Sequence, residues 1–258
     1  MRRDFPIWAV VCAAVLSVTS ISAAQDNTKK ASVASLVRTL GYGGAIHNFK
    51  NYVLRGDDKY RAASLTMFER ANEILANLGK TPGLTANETV ALTAITDIVN
   101  KYQAKLPTIE QLRKQSKSVE QIDAAVAVDD SSAIDAIATL RNGHRWSKIE
   151  NLDFHIGYGS GIHNFKNFVL RADEEYRARA ALGLSNVLLI VARYRASEGL
   201  TKTQAKALDD IESVVRAYEE ALATVQELIG EGKTAQEIDA VVKVDDTPAL
   251  NGLATLRE

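Results

Sequence analysis

The sequence has one cysteine, Cys12, and it falls inside the apolar N-terminal run. With that run set aside no thiol remains, which excludes disulfides, thiolate catalysis, Fe–S clusters and covalent c-type haem attachment. Charge of one sign is missing too: 31 Lys and Arg stand interspersed among 32 Asp and Glu, a formal net charge of −1. That balance gives no electrostatic reason for a nucleic-acid partner and reads as solvated helix faces. Strand-type alternation is absent, and no second long apolar run follows the first. There is no nucleophile elbow, metalloprotease helix motif, G-x-G-x-x-G or Walker pattern, so the chain reads as non-enzymatic, with no cofactor called for.

The N-terminus reads as an export signal. Arg2 and Arg3 supply the positive flank, Pro6 to Ile21 the apolar run, and Ser22-Ala23-Ala24 a small-residue cleavage site. The expectation is a signal peptide over residues 1–24 and a periplasmic protein. The alternative is an uncleaved inner-membrane anchor, since the run falls only a little short of the ~20 residues a spanning helix needs. Cys12 has no lipobox around it, which argues against a lipoprotein.

Downstream, one stretch occurs twice. Gly41-Tyr42-Gly43-Gly44-Ala45-Ile46-His47-Asn48-Phe49-Lys50-Asn51-Tyr52-Val53-Leu54-Arg55 returns as Gly157-Tyr158-Gly159-Ser160-Gly161-Ile162-His163-Asn164-Phe165-Lys166-Asn167-Phe168-Val169-Leu170-Arg171. His47 and His163 lie 116 positions apart, and the same offset aligns Leu84 with Leu200, Tyr102 with Tyr218, Ile122 with Ile238 and Asp129-Asp130 with Asp245-Asp246. Residues 31–142 and 147–258 are therefore two gapless copies of one module, joined by the linker Asn142-Gly143-His144-Arg145.

In the first copy Tyr42, Ile46, Phe49, Val53, Gly56, Tyr60, Ala63, Met67, Ala71, Ile74 and Leu78 follow steps of three and four. The spacing predicts one long helix that stops at Leu78-Gly79-Lys80-Thr81-Pro82-Gly83. A second helix is predicted from about Thr85 to Gln115, kinked or broken at Pro107. Ser118-x-x-Gln121 and Thr234-x-x-Glu237 are capping-box signatures for a short third helix, and an Asp of Val128-Asp129-Asp130 is placed to cap a fourth. The expected fold is all-α: two tandem helical-hairpin repeats with short accessory helices. A hairpin cannot enclose a core alone, so the simplest arrangement is an intrachain pseudo-dimer, a pseudo-twofold four-helix bundle.

Glycine at the start of a helix costs up to about 1 kcal/mol against alanine, so Gly41, Gly43, Gly44, Gly159 and Gly161 need compensation. Close helix crossing is one source, and a gap admitting a small ligand is another. Beside the apolar seam runs a stripe carrying His47 and Lys50, flanked by Asn48, Asn51 and Arg55, and repeated as His163 and Lys166, flanked by Asn164, Asn167 and Arg171. Buried polar groups need partners. Three readings fit: an interhelical network that fixes register, a site for a small polar or anionic molecule between the copies, and paired histidines ligating haem or metal. The arginine fork suits a carboxylate. No i, i+4 His pair, His-rich tract or Glu-x-x-His motif supports the third reading. His144 and His155 carry no motif and read as exposed spacers.

The repeated string, followed after the hairpin by Ile122-Asp123-x-x-Val126 and Val128-Asp129-Asp130, and in the second copy by Glu237 to Leu250, resembles the periplasmic sensor region of bacterial methyl-accepting chemotaxis receptors and related membrane signalling proteins. The likeness spans both copies. In that family such a helical region lies between two membrane helices, works as a dimer and passes its signal to cytoplasmic modules; for this chain the expectation is a freestanding ligand-sensing module that presents its bound state to a membrane chemoreceptor. This sequence carries two sensor units in tandem with no second membrane segment and no transmitter, so the resemblance implies tandem copies that imitate the receptor dimer.

Overall fold

Glycine and aspartate decide where the helices stop. The computed structural model describes residues 26–197 and 199–258; the expected signal segment, residues 1–24, lies outside them. The long first helix expected from the apolar seam is instead three: α1 (residues 26–40), α2 (Ala45–Arg55) and α3 (Asp58–Leu78). Gly56 ends α2 in the left-handed region at φ 69°, and the Asp57 carboxylate then caps α3 by accepting from the Lys59 N–H. Steps of three and four continue across the Gly56 break, which is why the seam read as continuous there.

Chain order continues with α4 (Ala86–Lys114), α5 (Val119–Val126), α6 (Ser131–Arg141), α7 (Lys148–Ile156), α8 (Gly161–Arg171), α9 (Glu174–Arg195), α10 (Lys202–Gly230), α11 (Ala235–Val242) and α12 (Thr247–Thr255). Among the described residues there is no strand, and no helix is long and apolar enough to cross a membrane. The fold is all-α, as the sequence implies. Helices α2 and α8, α4 and α10, and α5 and α11 begin and end at the same offset that relates His47 to His163. Both expected capping boxes form. Three more open α4, α7 and α10 at Thr85/Glu88, Ser147/Glu150 and Thr201/Gln204. Helix α4 runs unbroken through Pro107, which sits on its exposed face.

The long helices pair within their own copies, α3 with α4 and α9 with α10. Each pair then covers its remaining apolar surface with short helices, α2 and α6 in the first copy and α8 and α12 in the second. The copies meet through α2, α5, α8 and α11. The observed meeting surface is thus built of short helices, whereas the four-helix-bundle expectation drew it from the long ones. One continuous apolar core nonetheless runs through both copies.

A paired difference between copies shows how local the backbone logic is. Arg113 donates to the Tyr52 and Val53 carbonyls at the end of α2, and a Cβ at Gly56 would lie 2.3 Å from its guanidinium. The second copy has Ile229 in place of Arg113 and Ala172 in place of Gly56. Alanine there still takes a positive φ of 54°, because no guanidinium occupies the space its Cβ needs.

Candidate functional site

The two glycine turns lie against each other, backbone on backbone. A Cβ on Gly157 would stand 3.1 Å from the Tyr42 nitrogen and 3.2 Å from Gly41 Cα. Close crossing is therefore one source of compensation for the helix-breaking glycines. It also sets α2 against α8 closely enough for their polar stripes to meet.

Across this contact the bonds are reciprocal. Lys50 Nζ donates to Asn167 Oδ1 at 2.5 Å, and Lys166 Nζ donates to Asn51 Oδ1 at 2.7 Å. Arg55 grips Asp239 through Nε and Nη2 at 2.8 and 3.0 Å, while Arg171 grips Asp123 through the same atoms at 2.9 and 3.4 Å. Each arginine also donates to a tyrosine hydroxyl of its own copy, Tyr60 or Tyr176. His47 Nε2 stands 3.1 Å from Asp246 Oδ2, whose carboxylate also accepts from the Tyr42 and Tyr218 hydroxyls. In the second copy His163 Nε2 is 3.5 Å from Asp130 Oδ2, which accepts from Tyr102. Tyr158 Oη approaches the same carboxylate without completing a hydrogen bond.

Every one of the Arg–Asp, His–Asp and Lys–Asn pairs joins one copy to the other. His47, Lys50, Asn51, His163, Asn164, Lys166 and Asn167 are buried, and Asn48, Arg55 and Arg171 are half-buried. Asn48 and Asn164 turn back to bind the carbonyls of Gly43 and Gly44, and of Gly159 and Ser160, so they staple the glycine turns. Both arginine forks already hold an internal carboxylate. Sequence reasoning gave Asp123, Asp239, Asp246 and the tyrosine hydroxyls no place in the polar network, and Asp130 only a candidate capping role; the signal was their recurrence at the copy offset. Asp130 does not cap α6 with its side chain, because the exposed Asp129 accepts from the Ser131 N–H instead. His144 and His155 are half-buried, His144 against Trp146 and His155 against Phe154, which corrects their reading as exposed spacers.

Two clefts open on this network. One, of about 510 Å³, is walled by His47, Asn48, Arg55 and Tyr60 from the first copy and Lys243, Asp245 and Asp246 from the second. The other, of about 410 Å³, is its counterpart, walled by His163, Asn164, Arg171, Tyr176 and Arg179 facing Asp129 and Asp130. Lys243 and Arg179 are exposed and have no counterpart across the offset, where Ala127 and Ala63 stand. Among the described residues no group of three or more His, Cys, Asp or Glu is placed to hold a metal ion. For haem to be ligated, His47 would have to leave Asp246, and His163 would have to leave Asn167 and Asp130.

Burial, reinforced by the Lys50 charge, pushes His163 down to about 3, and burial with the Lys166 charge lowers His47. Burial also pushes Lys50 and Lys166 down to about 8. For Asp246 burial alone would raise the carboxyl, but the His47 hydrogen bond and the Lys166 charge hold it below the usual range. A folded value below the unfolded one means the unfolded chain binds more protons in between, so stability falls as pH drops through that window. From pH 7 to pH 5, His163 alone should cost about 2 kcal/mol of unfolding free energy, at up to about 1.4 kcal/mol per pH unit. Urea titrations at the two pH values measure this. His163→Gln should flatten the dependence, and an equally steep curve in that variant would contradict the assignment.

Comparison of the chain with protein-family models, with curated proteins and with solved structures finds no match.

Proposed function

We propose that the chain is an exported, non-enzymatic sensor-like protein that binds a small polar or anionic ligand in the two clefts between its copies and relays occupancy to a membrane chemoreceptor. The observation that carries this is that each cleft takes its walls from both copies. A molecule bound there touches the α2 or α8 face of one copy and the Asp-Asp turn of the other, so it changes how strongly the copies hold each other. Lys243, whose ammonium makes no ion pair among the described residues, and Arg179, paired with the exposed Glu175 of its own helix at the solvent edge, are the exposed cations of the two clefts and the ones an anionic group would meet. The resemblance of the repeated string to receptor sensor regions favours the same reading.

A thermal-shift screen against amino acids, small carboxylates and inorganic anions tests it. A ligand at 100 times its dissociation constant should stabilise the protein by about 2.7 kcal/mol. The shift should vanish in Lys243→Ala/Arg179→Ala, whose substitutions are exposed and leave the buried network alone. A hit that shifts the variant as much as the parent would place binding elsewhere. The second reading, a structural or interaction bundle without a small ligand, is favoured by one specific observation: Asp239 and Asp123 already fill both arginine forks. It gains if nothing in the screen shifts the parent.

A further inference from the structure

Between α2 and α8 lies a cavity distinct from both clefts. Its volume of about 10 Å³ is the space for one water-sized particle, and its polar wall is Tyr42, His47, Lys50, Tyr158, His163 and Lys166. No carboxylate lines it. Each ammonium carries three N–H donors, and Lys50 and Lys166 each use one, on an Asn Oδ1 of the other copy. Among the described residues neither ammonium makes an ion pair, although both are almost wholly buried. Values of about 8 keep both protonated at neutral pH despite burial.

The histidine tautomer adds a third donor. Lys50 donates to Asn167 Oδ1, which fixes the amide so that its Nδ2 faces His163 Nε2 at 3.1 Å. That amide nitrogen can only donate, so His163 Nε2 accepts from it at 3.1 Å rather than donating to Asp130 Oδ2 at the longer 3.5 Å, and a neutral ring then carries its proton on Nδ1. His163 Nδ1 is buried without a partner, as is Tyr158 Oη. The residues that line the cavity therefore carry unused N–H donors on three side chains, while the nearest carboxylates, Asp130 and Asp246, stand behind the His163 and His47 rings and do not line it. Buried donors without acceptors are costly.

We infer that this cavity binds one monatomic anion, a halide, held by the Lys50 and Lys166 ammonium groups and the His163 Nδ1–H between the two copies. The site would act as an electrostatic pin through both buried lysines, independent of any ligand in the clefts.

Bromide is the probe. In crystals grown with bromide the expected result is an anomalous peak between Lys50, Lys166 and His163. In solution, at constant ionic strength with gluconate as the replaced ion, the melting temperature should rise about 3–5 °C for each tenfold increase in bromide above the dissociation constant. Lys166→Met should abolish that dependence if it folds, and the crystallographic test needs no variant. A site holding only water without anomalous signal, together with equal melting temperatures in bromide and gluconate, would overturn the inference. Neither outcome bears on ligand binding in the clefts.

Discussion

Asp246→Ala is expected to destabilise the protein by about 3–5 kcal/mol, a fall in melting temperature of roughly 10 °C or more. One carboxylate here serves His47 Nε2 and the hydroxyls of Tyr42 and Tyr218. All three donors belong to buried residues, and His47 and Tyr42 come from the other copy. Removing the acceptor strands three polar groups and leaves Lys166 without the nearby negative charge that favours its protonated form. The neighbouring Asp245 is the control. It is exposed and accepts from Thr247 as a local cap, so Asp245→Ala should cost about 1 kcal/mol, the value of a helix cap. Equal losses from the two substitutions, measured by urea unfolding, would contradict the assignment of Asp246 as the shared acceptor.

The second large effect concerns a position where the copies differ. Met67 of the first copy becomes Gly183 in the second. A Cβ on Gly183 would lie 2.3 Å from the Gly161 nitrogen and 2.7 Å from its Cα, so α9 sits directly on the backbone that opens α8. Main chain cannot give way as a flexible side chain can. Gly183→Met should therefore cost at least about 3 kcal/mol, at the upper end of overpacking penalties, and should loosen the α8 contact with α2. Met67→Gly should cost less, because Met67 is only partly buried. Differential scanning calorimetry of the two variants separates these outcomes, and a mild Gly183→Met would show that α9 can move off α8 at little cost.

Helix content, the capping boxes and the repeat were legible because each depends on residues close together or on identity at a fixed offset. The break at Gly56 was not, since the apolar steps continue through it and only the Gly56-Asp57 pair signals a stop and a new cap. The polar stripe was legible from helical spacing: His47, Lys50 and Asn51 do lie buried at the copy–copy contact. Their partners were not. Arg55 meets Asp239 across 184 positions, and nothing in one chain announces a pairing that only the packing of the two copies creates. The arginine forks were expected to seek a ligand carboxylate, and the fold supplies one from within.

If each of the two clefts shared between the copies takes one small ligand, as proposed, calorimetric titration with the strongest hit of the screen tests it most directly. The predicted result is two ligands bound per chain, one in Lys243→Ala or in Arg179→Ala alone, and none in the double variant. A single site unaffected by either substitution, or no binding heat with any of these ligands, would contradict it.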